Sequence, residues 1–246
     1  MDRNQKKRIR EWFIHVLRII ARKRKDKGKL DGQVRTAVIL ASERYGDCIL
    51  LTPLLVQLRE IFPGIRIHLV VFKPSIYEFF RYDDSLGGIH YAKGNYLRYV
   101  REVLFRKHDL LFNPKDAPSF NFILQSILIP ARFKVAHHSA FHAGLYDYLV
   151  CRDYATHLAL RNCALLEAFG TIPAAVSSIR PYLPSMPVSK MIRDFGLQLS
   201  GGMVSAINIS ASVSDKYWSA HYCPTISQIN STGYRYRYPQ SCRQRS

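Results

Sequence analysis

The sequence predicts an α/β protein built on a parallel β-sheet. Two short runs rich in Val and Ile, residues 37–41 and 65–72, are typical of strands that are buried on both faces. Between them, apolar residues recur at helical spacing until Pro63 and Gly64 end the pattern. Strand, helix and strand within 37 residues predict a βαβ unit with a right-handed crossover.

The alternation of strands and helices continues beyond this unit. The sequence predicts further strands at 89–92, 109–113 and 132–136 and further helices at 96–106, 120–129 and 158–169. Pro130 ends the second of these helices and Gly170 ends the third. Regular alternation of this kind is typical of a layered α/β domain.

The turn that leaves the first strand holds Gly46 and Asp47. It lies at the carboxyl edge of the predicted sheet, where open α/β sheets bind ligands. We expect Gly46 to permit a tight turn and Asp47 to lie at or near the helix start, where a carboxylate is electrostatically favoured. Two roles stay open for Asp47, an N-cap and a general base held at a cleft. The turn contains neither a dinucleotide fingerprint nor a P-loop.

Polar residues also follow the later strands. Lys115 follows the strand at 109–113, and two kinds of partner stay open for it: an anionic substrate, or Asp116 and solvent. His138 and His142 are four residues apart, as metal ligands often are. No carboxylate or Cys accompanies them at matching spacing, which favours solvated or acceptor-contacting histidines over a metal site.

The basic residues are concentrated at the two ends of the chain. The formal net charge is +18; residues 1–35 hold 13 Lys and Arg against 4 Asp and Glu, and residues 223–246 hold 4 Arg and no acid. Residues 4–24 also carry one apolar stripe, which predicts a basic amphipathic helix. Three interpretations stay open for this helix: binding to an anionic membrane surface, packing on the protein's own core, and nucleic acid binding, for which no recognised module is present.

Cysteine content and hydropathy indicate the compartment. The five cysteines are odd in number and include no C-x-x-C pair, which argues against a disulfide framework or a zinc ribbon and fits a reducing compartment. No apolar run approaches the roughly 20 residues that a transmembrane helix needs. We therefore expect a soluble or peripheral cytoplasmic protein.

Four sequence motifs occur together in a fixed order along the chain. They are Tyr-Gly-Asp-Cys-Ile-Leu-Leu-Thr-Pro-Leu-Leu at 45–55, Leu-Arg-Glu-Ile-Phe-Pro-Gly at 58–64, a His and an Asn before Leu-Leu-x-x-x-Gly at 157–170, and a small-residue loop before Lys-x-Trp at 210–218. A chain with these motifs resembles glycosyltransferase family 9, the heptosyltransferase family of lipopolysaccharide core assembly. The resemblance covers residues 36–222.

The resemblance implies a GT-B fold and an enzymatic function. The implied reaction is inverting transfer of heptose from ADP-heptose to the lipopolysaccharide inner core, on the inner membrane of a Gram-negative bacterium, without a metal or other cofactor. Asp47 would be the general base. The acceptor contacts that the resemblance implies are Gly46, Lys115, Ser119, His138 and His157. The donor contacts that it implies are Ser210, Ser212 and Lys216, of which Lys216 would stabilise the departing diphosphate.

The expected domain organisation follows from these motifs. The predicted parts are a basic helix and linker at 1–35, a complete Rossmann-like acceptor domain at 36–170, an interdomain linker at 171–202, the start of a truncated donor domain at 203–222, and a non-homologous basic tail at 223–246. The tail has the character of a frameshifted or prematurely stopped product, so we expect impaired turnover. The alternative function is a non-catalytic, membrane-surface module that binds lipopolysaccharide or lipid; no nucleic acid partner is expected.

Overall fold

The structure, a computed structural model, describes residues 3–20, 24, 27–171, 179–185 and 187–198. The chain divides into two compact units, Met1–Pro187 and Val188–Ser246. Within the described residues, no helix is long and apolar enough to cross a membrane.

The first unit is built on a six-stranded sheet. Its strands are β1 (Thr36–Leu40), β2 (Arg66–Val71), β3 (Gly88–Tyr91), β4 (His108–Asn113), β5 (Ala131–His137) and β6 (Tyr148–Val150). The strand order is β3-β2-β1-β4-β5-β6, and every neighbouring pair is parallel. This is the doubly wound order of Rossmann-like folds, which confirms the predicted α/β class.

Helices connect the strands. They are α1 (Arg3–Ile20), α2 (Tyr45–Ile49), α3 (Thr52–Ile61), α4 (Pro74–Phe80), α5 (Tyr96–Tyr99), α6 (Phe120–Leu128) and α7 (Leu158–Cys163). The α5 helix continues as a π-helical turn, Val100–Leu104, and α7 continues as a 3₁₀ helix, Ala164–Phe169. Gly170 follows in the left-handed conformation with φ 73°, which confirms it as the helix stop.

The sheet is covered on both faces because its strands are apolar on both faces. Along β1, Ala37 and Ile39 belong to the core that α3 and α7 cover, whereas Val38 and Leu40 belong to the core that α5 and α6 cover. All four side chains are fully buried. The predicted strands at 37–41 and 65–72 therefore have the burial that their composition indicated.

The single helix predicted between the first two strands is wrong in one respect. The structure has two helices there, α2 and α3, and Leu50 and Leu51 separate them. The second helix ends at Ile61 with Phe62 at the C-cap position, and Gly64 then adopts a positive φ of 78°, as the Pro63-Gly64 pair predicts. The sequence did not predict α4 or β6.

The first 35 residues are part of the same compact unit. Ile14 of α1 is 1% exposed and packs in the core beside α6, and the ring of Phe13 lies 5.8 Å from that of Phe120. Leu30 and Val34, in the predicted linker, are also buried. The core-packing interpretation of the helix is thus confirmed for this part of its surface.

Three buried histidines, one on each of β2, β3 and β4, form a cluster. We call His68, His90 and His108 the histidine cluster. The Nδ1 atom of His68 lies 3.0 Å from Nε2 of His90, and the rings of His68 and His108 are 5.5 Å apart in an edge-to-face arrangement. Burial lowers the pKa of all three, to about 4 for His68 and His90, so they are neutral at pH 7.

The described part of the second unit contains helix α8, Lys190–Gln198. The predicted linker at 171–202 therefore includes a helix, which its proline and serine content did not indicate. The predicted donor-domain start at 203–222, with Ser210, Ser212 and Lys216, lies outside the described residues, as does the tail at 223–246.

Candidate functional site

The strand order reverses between β1 and β4, so the chain leaves these two neighbouring strands toward opposite faces of the sheet. The carboxyl ends of such strands border a crevice, the usual ligand site of open α/β sheets. A cavity of about 440 Å³ lies there, and we call it the switch-point cavity. Its charged and polar lining includes Ser42, Arg44, Asp47, Lys115, Asp116 and Arg161.

Asp47 lies in the first turn of α2 and lines the switch-point cavity. The N-cap position of this helix is Arg44, so the N-cap interpretation of Asp47 is wrong. The carboxylate is half-buried, and its Oδ2 atom accepts a hydrogen bond of 2.8 Å from the Ser42 hydroxyl. A carboxylate held by one neighbour and adjoining a cavity has the placement that a general base requires.

Gly46 precedes Asp47 and has no positive φ. It is a helical residue of α2, so the prediction of a tight turn at Gly46 is wrong. A β-carbon built on Gly46 would meet no atom within 4 Å, apart from its chain neighbours.

An ion pair forms part of the cavity wall. The Nη2 atom of Arg161 donates to Oδ2 of Asp116 at 2.6 Å, and the guanidinium lies 5.0 Å from the ring centre of Tyr154. Burial raises the pKa of Asp116, but the hydrogen bond and charge of Arg161 outweigh burial and hold it below its usual value. In the described structure, the buried Nε atom of Arg161 has no hydrogen-bond partner.

Lys115 lies in the loop that follows β4 and lines the same cavity. Its backbone N–H donates to Asn113 Oδ1 at 3.0 Å, and Asn113 Nδ2 donates to the Tyr146 hydroxyl at 2.7 Å. These buried bonds fix the loop. Because Asp116 pairs with Arg161, the substrate interpretation of Lys115 stays the stronger of its two predictions.

A second cavity, of about 310 Å³, lies at the ends of β5 and β6. His138 is exposed and lines it, and Arg161 lines both cavities. His142 is buried, and its Nδ1 atom lies 2.7 Å from the His137 carbonyl oxygen, so it is not the solvated histidine that the sequence favoured. Among the residues described, no group of three His, Cys, Asp or Glu is placed to hold a metal ion.

The other two predicted acceptor residues lie at helix starts. Ser119 occupies the N-cap position of α6 without a capping bond from its side chain. His157 is the N-cap of α7, and its Nδ1 atom accepts from the Ala159 N–H at 3.4 Å. Neither residue lines either cavity described above, so their acceptor roles stay predictions.

Of the residues that line the switch-point cavity, only Asp47 and Lys115 were predicted as site residues; those missed include Ser42, Asp116, Tyr154, Arg161 and Asn162. The sequence contained one usable signal for two of them. Arg161 and Asn162 interrupt an otherwise apolar stretch of α7, and both are buried. Buried polar residues are uncommon unless a partner or a function holds them.

Comparison with known proteins gives a structural match only. The chain matches no protein-family model and no curated protein. It is similar to the crystal structure of a glycosyl transferase of family 9 from Veillonella parvula, with a TM-score of 0.61 and 18% identity over 85% of this chain and 63% of that one.

Two Escherichia coli structures are also similar. They are heptosyltransferase WaaC with ADP (TM-score 0.52, 14% identity, 83% of this chain and 67% of that one) and ADP-heptose lps heptosyltransferase II (TM-score 0.55, 17% identity, 81% of this chain and 62% of that one). The chain thus spans about two thirds of the length of the structures that it matches.

Fold and site together define a doubly wound α/β protein with a charged crevice at its switch point. Its fold is the one found in structures of family 9 glycosyltransferases and heptosyltransferases. The resemblance deduced from the motifs is confirmed at the level of the fold.

Proposed function

We propose that the chain is a family 9 glycosyltransferase that transfers heptose from ADP-heptose to a hydroxyl of the lipopolysaccharide core, with inversion. The observation that carries this proposal is the Asp47 carboxylate at the switch-point cavity, bonded to Ser42, in a fold shared with heptosyltransferases. Asp47 belongs to the motif at 45–55 that first suggested the family, whereas its bond to Ser42 and its position at the cavity are features of the structure.

In this mechanism Asp47 removes the proton of the acceptor hydroxyl as that oxygen attacks the sugar. Lys115 and Arg161 also line the cavity; because Arg161 is paired with Asp116, Lys115 is the cation that suits an acceptor with acidic groups. By the family resemblance, Ser210, Ser212 and Lys216 contact the donor, and Lys216 stabilises the diphosphate as it leaves.

The test is a transfer assay with the purified chain, ADP-heptose and heptose-deficient lipopolysaccharide. We expect ADP release together with a gain of one heptose in the acceptor mass, at the low rate that the expected impairment implies. Robust turnover would contradict the impairment and leave the proposed reaction intact. Asp47→Asn keeps the shape of the side chain but removes the base, so turnover should fall by about 10²- to 10⁴-fold.

Asp84→Asn is the matched control, because Asp84 is exposed and lies outside the cavity lining. It should retain the rate of the unaltered chain. Equal turnover in Asp47→Asn and Asp84→Asn would remove Asp47 from the mechanism, and no turnover in the unaltered chain would overturn the proposed activity.

A membrane contact through α1 is the second part of the proposal. Ile14 and Leu17 of this helix pack on the core, but Ile9, Trp12 and Ile19 are 45%, 60% and 69% exposed. The exposed three recur at intervals of three and seven residues, so they share a helix face that the core does not cover. An exposed apolar face on a basic helix is typical of binding to an anionic membrane surface.

Liposome flotation tests this contact. We expect binding to vesicles that contain phosphatidylglycerol and little binding to pure phosphatidylcholine vesicles, and the double variant Trp12→Ser, Ile19→Ser should lose most of the binding. The matched control is Leu97→Ser, Phe105→Ser, which removes two apolar side chains that are 83% and 82% exposed elsewhere. Equal loss in both double variants would contradict a specific α1 contact. Flotation without transfer would instead favour the non-catalytic membrane module.

A further inference from the structure

Two side chains donate hydrogen bonds to the backbone carbonyl groups at the break between α2 and α3. A helix end leaves its last carbonyl groups without partners, so a five-residue helix such as α2 depends on its surroundings to satisfy them. The Thr52 hydroxyl donates to the Ile49 carbonyl oxygen at 2.7 Å, and Nδ2 of Asn162 donates to the Leu50 carbonyl oxygen at 3.0 Å. Leu50 also closes α2 itself, since its N–H donates to the Gly46 carbonyl oxygen at 2.9 Å.

Asn162 reaches this break from 112 positions further along the chain. Its side chain is buried, and its Oδ1 atom lies 3.2 Å from Nε2 of His137. Burial lowers the pKa of His137 to about 4, so the ring is neutral and one of its nitrogens carries a proton. A proton on Nε2 satisfies Oδ1 of Asn162 and directs its Nδ2 group toward Leu50, so one buried pair joins β5, α7 and the end of α2.

The helix held in this way carries Asp47. Isolated helices as short as α2 are unstable, because the hydrogen bonds of a single turn do not offset the backbone entropy lost in forming it. Ser42 holds the Asp47 carboxylate, and Asn162 holds the carbonyl of Leu50 at the other end of the helix. We infer that Asn162 is a positioning residue, which fixes α2 so that Asp47 adjoins the switch-point cavity. This inference rests on the proposed role of Asp47 as the base.

The test is the variant Asn162→Asp, which keeps the shape of the side chain and its acceptor toward His137. It replaces the donor toward Leu50 with an oxygen, so the bond to α2 is lost. Hydrogen–deuterium exchange should become at least tenfold faster for the amides of residues 46–51, whereas exchange in β2 should stay unchanged. In the transfer assay kcat should fall about tenfold with KM within twofold, because the base moves while the acceptor contacts remain.

The matched control is Gln57→Glu. Gln57 is also a buried amide, and its Nε2 atom donates to the sulfur of Cys163 between α3 and α7, not to α2. It should leave exchange at residues 46–51 unaffected. Faster exchange throughout the chain, equal acceleration in the two variants, or none at residues 46–51 in Asn162→Asp would each overturn the inference.

The exchange measurement separates this inference from the proposed activity. If the unaltered chain transfers no heptose, the proposed function fails, while the exchange of residues 46–51 still decides whether Asn162 fixes α2. If transfer occurs and Asn162→Asp lowers only the exchange protection and not kcat, Asn162 supports the helix without positioning the base, and the inference is overturned.

Discussion

The histidine cluster and the switch-point cavity are two groups of titratable side chains in one domain, and their surroundings differ. In the cluster, three rings are buried against one another, and the nearest carboxylate is Glu102, whose Oε2 lies 3.9 Å from Nδ1 of His90. In the cavity, Asp116 and Arg161 form an ion pair beside open space. Burial without a carboxylate at hydrogen-bond distance leaves the histidines neutral, while the ion pair and access to water keep the cavity charged.

This difference separates a structural group from a chemical one. A neutral, enclosed cluster contributes to the stability of the fold, and this stability falls at a pH where the unfolded chain binds protons that the buried rings do not. A charged, open group can bind an ion or accept a proton without unfolding. The two regions therefore predict separate effects, which mutation and pH can measure independently.

Acid should produce the largest effect, through the histidine cluster. Each ring has a folded-state pKa below the ordinary value of about 6.5, so the unfolded chain binds protons first as the pH falls. The stability that the neutral rings provide is complete above pH 6.5 and is lost between about pH 6.5 and pH 4. We expect a loss on the order of 2 kcal/mol for each of His68 and His90 between pH 7 and pH 4.5, and a further loss from His108, measured by urea unfolding.

Two variants assign that loss to the cluster. His68→Asn removes one buried ring and should reduce the acid-dependent loss by on the order of 2 kcal/mol. His138→Asn changes an exposed histidine and should leave the loss as it is in the unaltered chain. An acid-dependent loss of the same size in His68→Asn would show that the cluster is not its source.

Breaking the ion pair of the cavity should have an intermediate effect. Asp116→Asn leaves the guanidinium of Arg161 without its carboxylate, and the side chain of Arg161 is only 10% exposed. Since 35% of the Asp116 side chain is exposed, water screens the pair, and we expect a loss of about 1 to 3 kcal/mol, less than for a fully buried pair.

A double-mutant cycle with Arg161→Gln isolates the pair. The double variant should lose less stability than the sum of the two single variants, by about 1 kcal/mol, because its second change leaves no unpaired charge. Additive losses would mean that the two side chains act separately and that the cavity wall is not held by their attraction.

Removing the Ser42 hydroxyl should have the smallest effect. Ser42→Ala deletes one hydrogen bond to a carboxylate, worth about 1 kcal/mol at a site that adjoins a cavity. Transfer should fall by about three- to tenfold, and the thermal midpoint should fall by only about 2 to 4 °C. Ser42→Thr keeps a hydroxyl and should retain most of the rate; if both variants have full activity, Ser42 does not orient Asp47.

The sequence predicted the parts of the fold that depend on local pattern. The strands at 37–41 and 65–72 and the stops at Gly64 and Gly170 follow from hydropathy and turn chemistry, which act over a few residues. The strand β6 was missed because three residues, Tyr148–Val150, are too few to show a period. The break at Leu50 was missed because the apolar spacing continues across it.

The sequence predicted only those cavity residues that lie in segments following a strand. Asp47 and Lys115 lie in the segments that leave the carboxyl ends of β1 and β4, so the edge rule located them. Arg161 and Asn162 reach the same place from a helix more than a hundred positions after Asp47. Only the tertiary packing of α7 brings them there, and periodicity within α7 contains no information about it.

The packing of Ile14 has a consequence for any contact between α1 and a bilayer. Because Ile14 is enclosed by the core, α1 cannot swing away on a flexible tether without opening a hole about the size of an isoleucine side chain. If α1 lies on a membrane as we propose, the packing of α1 on the core fixes the distance between the cavity and the lipid surface. Acceptor sugars at that height, and not those nearer or farther from the headgroups, would reach Asp47.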